Sequence, residues 1–458
     1  METATDTELT FETKKVNRLV WDYALPAIVG MVVTSLYNIV DRIFLGHGVG
    51  TLAMSGLVIA FPVMILISSL GLLVGAGASS RISLALGQKD KARAELILGN
   101  ALLLIIVFNI IITAVFLVFL EPILLAFGAN ELTLPYARDY LQIIIPGNVF
   151  VSMCFCFNNM MRSSGYPKKA MYTMFIGAGC NVILTPIFIF GLGMGIRGAA
   201  VSTVISMFIG MVFVMRHFVQ SDSLIRLKKK NIRFDWAIIA AIVSIGLSPF
   251  LMQVATTFVA VLTNTQLMRY GGELAIGAFG IYNSIAMLII MVVIGLNQGM
   301  QPIIGYNYGA QNYDRVKETF YYGLKVATVI TSVGFLMGVF LPQTLAAAFT
   351  TDPYLLDITE RGIRIAMLAF PIIGFQIVVS NYFQSIGQAS KSVILSLSRQ
   401  ILFLIPALWL LPRFFGLDGV WAAAPVSDVV SAVVSVCFLV HLTRGLNGLI
   451  KKSNFSAE

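Results

Sequence analysis

Polar residues gather at the start of the chain and then thin out. Met1–Arg18 is polar and ends in Lys14, Lys15 and Arg18, whereas the remainder is dominated by long uncharged runs. Such runs cover Tyr23–Val40, Leu96–Leu120, Tyr140–Met161, Ala170–Ile196, Gly198–Met215, Trp236–Met268, Leu274–Tyr313, Val326–Thr351 and Ile365–Ser390. A helix that crosses a bilayer needs ~20 predominantly apolar residues, so each run supplies most or all of one. Allowing for helices with charged ends, the pattern predicts twelve spans. They fall near 19–45, 52–80, 94–119, 136–161, 169–191, 197–218, 237–268, 274–304, 316–341, 358–385, 391–412 and 418–442. The expected fold class is an all-α polytopic membrane protein. Residues 1–18 carry the charge of a signal peptide's first segment, but the apolar stretch after them is too long and no small-residue cleavage site follows. They read as a cytoplasmic approach to span 1.

Composition agrees with this class. Hydrophobic residues make up 58% and charged residues 12%, against about 45–50% and 25% in soluble domains. The formal charge of +9 would suggest nucleic acid in a soluble protein. Here its placement explains it better. With the N-terminus inside, most Lys and Arg fall in cytoplasmic segments, among them Lys89, Lys91, Arg93, Lys168, Lys169, Arg226, Lys228–Lys230, Arg233, Arg399 and Lys451–Lys452. The positive-inside rule therefore predicts both termini in the cytoplasm and a multi-pass protein of the cell (inner) membrane. Membrane lipid is the expected surroundings, and nucleic acid is not an expected partner.

The chain also repeats itself. Leu84–Gln88 matches Tyr306–Ala310, and Asn158-Asn159 and Ser164-Gly165 match Ser380-Asn381 and Ile386-Gly387, each pair 222 positions apart. Leu25-Pro26 falls opposite Ser248-Pro249, and Gly198-Ala199-Ala200 opposite Gly419–Ala422. Two copies of six spans with the same topology imply two six-helix lobes related by a pseudo-twofold axis along the membrane normal, a common transporter plan. The predicted organisation is 1–18 N-terminal segment, 19–218 N-lobe, 219–236 basic linker, 237–443 C-lobe and 444–458 cytoplasmic tail.

Against this symmetric background, charge inside the spans is informative. Asp41 interrupts an otherwise apolar stretch, and a carboxylate at the centre of a spanning helix costs ~2.5–3.5 kcal/mol on insertion scales. Arg42 is adjacent and so does not face it on a helix. A buried acid of this kind is by default a site for a proton, an ion or a substrate. Asp41 falls opposite Asn264 in the second copy, so one lobe only carries it. Asp428, inside span 12, falls opposite Ser206 or Met207 and is a possible second polar site.

Other motifs carry little. Gly193-Met194-Gly195-Ile196-Arg197-Gly198 has the spacing of a dinucleotide fingerprint but lies between two spans, without a strand–helix–strand unit. It reads as a turn between spans 5 and 6. No G-x-x-x-x-G-K-[ST] occurs, which argues against a self-contained ATP-driven pump. Cys154, Cys156, Cys180 and Cys437 lie in apolar spans without paired metal spacing, and His47, His217 and His441 are dispersed. Neither an enzyme, a metal site nor a cofactor is expected.

The twofold repeat resembles the multidrug and toxic compound extrusion (MATE) family in its combined pattern. The residues that carry the resemblance are Asp41 in span 1, Gln298–Pro302 and Tyr306–Ala310 in span 8, and Ser398-Arg399-Gln400 in span 11. It covers Leu19 to Arg444 and implies a two-lobed, alternating-access exporter of cationic or amphiphilic compounds, exchanged for H⁺ or Na⁺. It further implies a cation site in the N-lobe. There Asp41 and Asn181 match the family pattern, Thr203 with Ser202 beside it matches a hydroxyl of span 6, and Asn38 lies within a turn of Asp41. Thr185 stands where many members carry Asp, which would leave one carboxylate rather than two. The expected substrate cavity holds Met, aromatic and amide side chains: Met153, Phe157, Asn158, Met160, Met161, Gln266, Met287, Met291 and Gln298. Flexible, polarisable Met and aromatic faces suit varied cations. The alternative reading is a flippase for a lipid-linked oligosaccharide or polyprenyl precursor, which would need a cluster of basic residues in its cavity. A monomer is expected.

Overall fold

The computed structural model describes residues 10–221 and 223–455. Among them every regular element is helical, as a bilayer requires, because a helix satisfies its backbone N–H and C=O groups within one segment. In chain order these are α1 Val16–Gly48, α2 Thr51–Gly87, α3 Lys91–Val118, α4 Leu120–Ala126, α5 Leu134–Ser163, α6 Pro167–Pro186 and α7 Gly195–Val219. They continue as α8 Trp236–Gly309, α9 Tyr313–Phe340, α10 Pro342–Ala347, α11 Pro353–Ala366, α12 Phe370–Ser385, α13 Ala389–Leu397 and α14 Ile405–Phe455. π-helical turns over Ile187–Gly191 and Ser398–Leu404 extend α6 and join α13 to α14.

Nine helical stretches among the described residues are long and apolar enough to cross a bilayer, and ten if α11 and α12, bent by 52°, form one broken span. α8 has 74 residues, a length of about 110 Å that exceeds a ~30 Å hydrocarbon core threefold. It is two spans divided at Gly272, whose φ of 69° lies in the left-handed region open to glycine. The stretch Ala389–Thr443 is divided in the same way at Gly416, with φ 57°. Counting each as two gives the expected twelve.

Three features depart from the hydropathy reading. α2 continues to Gly87 rather than ending near 80, because Ile82, Ser83, Ala85 and Leu86 stay buried beyond the uncharged run. Span 10 is broken between Ala366 and Phe370. Pro371 occupies the first turn of the second piece, where its missing N–H costs nothing but where it cannot continue a preceding helix. The short helices α4 and α10, which start 222 residues apart, escape a span-length window altogether.

The duplication extends to backbone conformation. Lys89 and Gln311 share φ 60°, Gly50 and Gly272 both have positive φ, and so do Gly165 and Gly387. Each pair is 222 residues apart, so the turns of the two copies are built alike.

The chain forms two compact units. The first comprises 1–14 and 25–253, the second 15–24 and 254–458. Each unit thus includes the opening turns of the other half's leading helix, and close backbone packing accounts for it. In the first unit, a Cβ on Gly246 would lie 1.7 Å from the Leu73 carbonyl oxygen, and one on Gly77 would lie 2.0 Å from that of Ile242. In the second, a Cβ on Gly299 would meet the Ala24 backbone nitrogen at 2.5 Å. Gly77 and Gly299 are repeat equivalents, as are Ala24 and Gly246. Small residues at helix crossings let backbones approach closely, the usual device of membrane helix packing.

The first unit's core joins Leu45, Ile67, Tyr140, Leu141 and Ile144. A buried amide cluster crosses it, in which Asn148 Nδ2 donates to Asn109 Oδ1 (2.8 Å) and to the Ile67 carbonyl (3.1 Å). The second unit's core centres on Leu267, Leu408 and Val420, with Trp421 packed on Phe279 and Tyr282. Large apolar side chains such as Val118, Phe258 and Phe340 remain about 70% exposed, a surface suited to lipid contact.

Candidate functional site

The N-lobe site begins with Asp41, on α1 one turn beyond Tyr37. A half-buried carboxylate in an apolar span calls for a donor or a cation close by. The donor is Thr185 on α6, whose Oγ1 gives a hydrogen bond of 3.1 Å to Asp41 Oδ1. Thr185 also lies 2.8 Å from Ser202 Oγ on α7 and 3.4 Å from Asn181 Oδ1, one turn earlier on its own helix. Asn181 Nδ2 in turn donates to Thr203 Oγ1 at 3.3 Å. Asn181, Thr185 and Ser202 are buried.

Five of the six expected residues therefore belong to one hydrogen-bonded cluster: Asp41, Asn181, Thr185, Ser202 and Thr203. The side chain of Asn38 lies outside the described ones. Local structure explains the convergence. Asn181 and Thr185 are i and i+4 on α6 and so share a face. Ser202 and Thr203 both donate to the Ala199 carbonyl, which fixes their oxygens toward α6. Pro186 leads into the π-helical turn immediately after Thr185, and such turns often occur at functional positions. Tyr37, which sequence reading passed over, lies within electrostatic reach of Asp41; its i, i+4 spacing was the available signal.

The cluster holds one carboxylate among neutral oxygens. Each hydroxyl is both donor and acceptor, so the ring can support a protonated or an ionised Asp41. Ionised, it offers the oxygen ligands that a hard cation prefers.

The C-lobe acid stands differently. Asp428 is almost fully buried and forms an ion pair with Arg399, Nε to Oδ1 at 2.5 Å. Arg399 lies within the π-helical turn between α13 and α14, so it is not a loop residue of the cytoplasmic count. Gln376 on α12 bonds the Asp428 carbonyl (2.6 Å) and Ser431 Oγ (2.7 Å), and Ser427 Oγ donates to the Arg399 carbonyl (2.8 Å). Opposite charges on consecutive spans flanking Gly416 were the signal for this pair.

The residues expected in the cavity separate by burial. Phe157, Met160 and Met161 are fully buried, Phe157 edge-on to Phe218 at 5.6 Å. Asn158 is committed to the Ala170 carbonyl (2.7 Å) and to Arg162 (2.9 Å). Gln266 is buried; Met153, Met291 and Gln298 are half-buried, and Met287 is exposed.

The family profile for MatE matches residues 26–187 and again 249–410, once per copy of the repeat. The chain belongs to the MATE family. It is 27% identical to the multidrug export protein MepA of Staphylococcus haemolyticus over 98% of both chains, and 26% identical to MepA of Staphylococcus aureus over 95% of each. Among solved structures, it superposes on an outward-facing multidrug resistance MATE family transporter with a TM-score of 0.89, at 26% identity, covering 96% of this chain and 98% of that one. It matches the MATE multidrug transporter DinF-BH with a TM-score of 0.88, at 38% identity over 94% and 96% of the two chains. This MATE protein is thus a multi-pass membrane transporter and not an enzyme, and its two six-helix lobes are those of the family.

Proposed function

We propose that the protein is a secondary active antiporter that exports cationic or amphiphilic compounds by alternating access, in exchange for H⁺ or Na⁺ bound at Asp41. The observation that carries this reading is the Asp41–Thr185–Asn181–Ser202–Thr203 cluster. A lone acid inside a span, met by the Thr185 hydroxyl, can take up and release one positive charge per cycle. The multidrug export named for both MepA relatives supports the substrate class. Among the expected cavity residues, Met153, Met287, Met291 and Gln298 retain surface for substrate. Both termini are assigned to the cytoplasm of the cell membrane by the placement of Lys and Arg, and the working unit is a monomer.

The flippase reading loses ground at the buried arginines. Arg162 is bonded to Asn158 and Asn159, and Arg399 to Asp428, so neither offers a free guanidinium for pyrophosphate. The deciding experiment is efflux of a fluorescent cation from proteoliposomes with ΔpH and ΔpNa imposed separately, for wild type and Asp41→Asn. Efflux driven by one gradient and abolished by the substitution names the ion and supports coupling through Asp41. Unchanged efflux in the variant, or movement of lipid-linked substrates only, sinks the proposal.

A further inference from the structure

The repeat makes two equivalent corners, one in each unit, and they are finished differently. In the first unit, Tyr166 follows the Gly165 turn and Lys169 starts α6. The Lys169 ammonium sits over the Tyr166 ring at 5.0 Å, and that ring stands edge-on to His217 at 4.5 Å. The basic linker folds back and seals this corner. Ser223 Oγ lies 3.2 Å from His217 Nε2, the Leu224 N–H donates to the Tyr166 hydroxyl at 3.1 Å, and Leu224 and Ile225 are buried.

In the second unit, the positions 222 residues on are Gln388 and Lys391, with His441 near the end of span 12. The aromatic plug is gone because Gln388 replaces Tyr166. Among the described residues no segment folds back either, since α14 runs on as helix to Phe455 where α7 stops at Val219. What remains is a cavity of about 90 Å³ at the helix ends, lined by Tyr308, Tyr382, Gln388, Lys391 and His441. That is room for roughly three waters at ~30 Å³ each, or for one small oxyanion.

Beside apolar Phe383, Ile386 and Leu442, its polar lining offers the groups that an anion needs. The Lys391 ammonium is held 5.3 Å from the Phe383 ring centroid, and among the described residues no carboxylate reaches it within salt-bridge distance. Tyr308, Tyr382 and His441 also line the cavity, and their side chains bring two O–H donors and an imidazole N–H. Gln388 Oε1 is buried without a hydrogen-bond partner. A buried orphan of this kind calls for explanation, and turned over, the same amide presents N–H donors.

We propose that this cavity of the second unit binds a phosphate group at the membrane surface, with Lys391 as its charge and Tyr308, Tyr382 and His441 as donors. The phosphate is that of a phospholipid headgroup or a free phosphate, and the repeat equivalent in the first unit is closed to it by the linker. The site is independent of the transport cycle assigned to Asp41.

The test uses the purified full-length protein in uncharged detergent. Thermal unfolding is followed at constant ionic strength with inorganic phosphate, with dioleoyl phosphatidic acid, or with dioleoylglycerol, which has the same acyl chains and no phosphate. A concentration-dependent rise in Tm with phosphatidic acid but not with dioleoylglycerol is expected; a rise with inorganic phosphate as well identifies free phosphate as a sufficient ligand. Lys391→Gln combined with His441→Gln should weaken the effect roughly tenfold or more, as loss of a charge-assisted bond does. Gln388→Tyr, which restores the plug of the other corner, should abolish it while leaving the fold intact, and Lys169→Gln should not alter it. No rise with either phosphate source overturns the proposal, as does an equal rise in wild type and in Gln388→Tyr.

Discussion

Asp41 in the first lobe and Asp428 in the second interrupt apolar spans, and they are met by opposite means. Asp41 is met by a threonine hydroxyl within a ring of neutral oxygens, whereas Asp428 is met by the Arg399 guanidinium on the next helix. A hydroxyl brings no formal charge to the acid it meets, so under the proposed function a mobile cation supplies it. A fixed arginine supplies the positive charge permanently and leaves nothing for a second cation to neutralise. Duplication thus gave two similar scaffolds, one with an acid met by a hydroxyl and the other with an acid paired to an arginine.

The largest effect that would test this contrast is functional. Asp41→Asn should remove gradient-driven efflux entirely while the protein still expresses and melts near the wild-type temperature. A melting temperature that collapses with the substitution would make Asp41 structural and erase the contrast. The mirror experiment concerns stability. Arg399→Leu alone strands a buried carboxylate and should cost about 3–5 kcal/mol, whereas Arg399→Leu with Asp428→Leu should recover most of it. Denaturation of the single and double variants in one detergent checks this, and a double variant as unstable as the single would show that the pair does more than neutralise itself.

Thr185→Asp sharpens the comparison further. A second carboxylate beside Asp41 should add one bound proton or Na⁺ per cycle, read as a doubled ion-to-substrate ratio in proteoliposomes. Thr185→Val removes the donor to Asp41 and the bridge to Ser202 without changing charge. One or two lost hydrogen bonds of ~1 kcal/mol each should weaken coupling-ion affinity about tenfold, visible as a shifted ion dependence of transport. The smallest effect belongs to the exposed pair of Arg361 and Asp418. Arg361→Gln should change stability by less than about 1 kcal/mol, a useful control for charge removal in the same lobe as Arg399.

The residues themselves show why some of this was legible in the chain and some was not. Asp41 declared itself because a charge in an apolar run is costly wherever the helix points. Asn181, Thr185, Ser202 and Thr203 came from the family resemblance, and helical spacing added only that Asn181 and Thr185 share a face. Asp428 and Arg399 were each visible as charges on consecutive spans, but their contact was not. Pairing with Arg399 depends on the rotation of two helices and on a π-helical turn that shifts the register of the first, and hydropathy carries neither. Phe157, Met160 and Met161 have the composition of a cavity lining yet are fully buried, because composition does not report which face of α5 meets other helices.

The sequence by itself determined the class, the number of spans and the internal repeat. Those follow from one-dimensional quantities: the length of apolar runs against the thickness of a bilayer, and the recurrence of motifs at a fixed offset. Tertiary structure decided which segments make up each compact unit, 1–14 with 25–253 and 15–24 with 254–458. It also decided which acid met a hydroxyl and which met an arginine. Those outcomes rest on how closely two backbones approach, as at Gly77, Gly246 and Gly299, and on the direction in which each side chain leaves its helix. Both are set only when the helices pack.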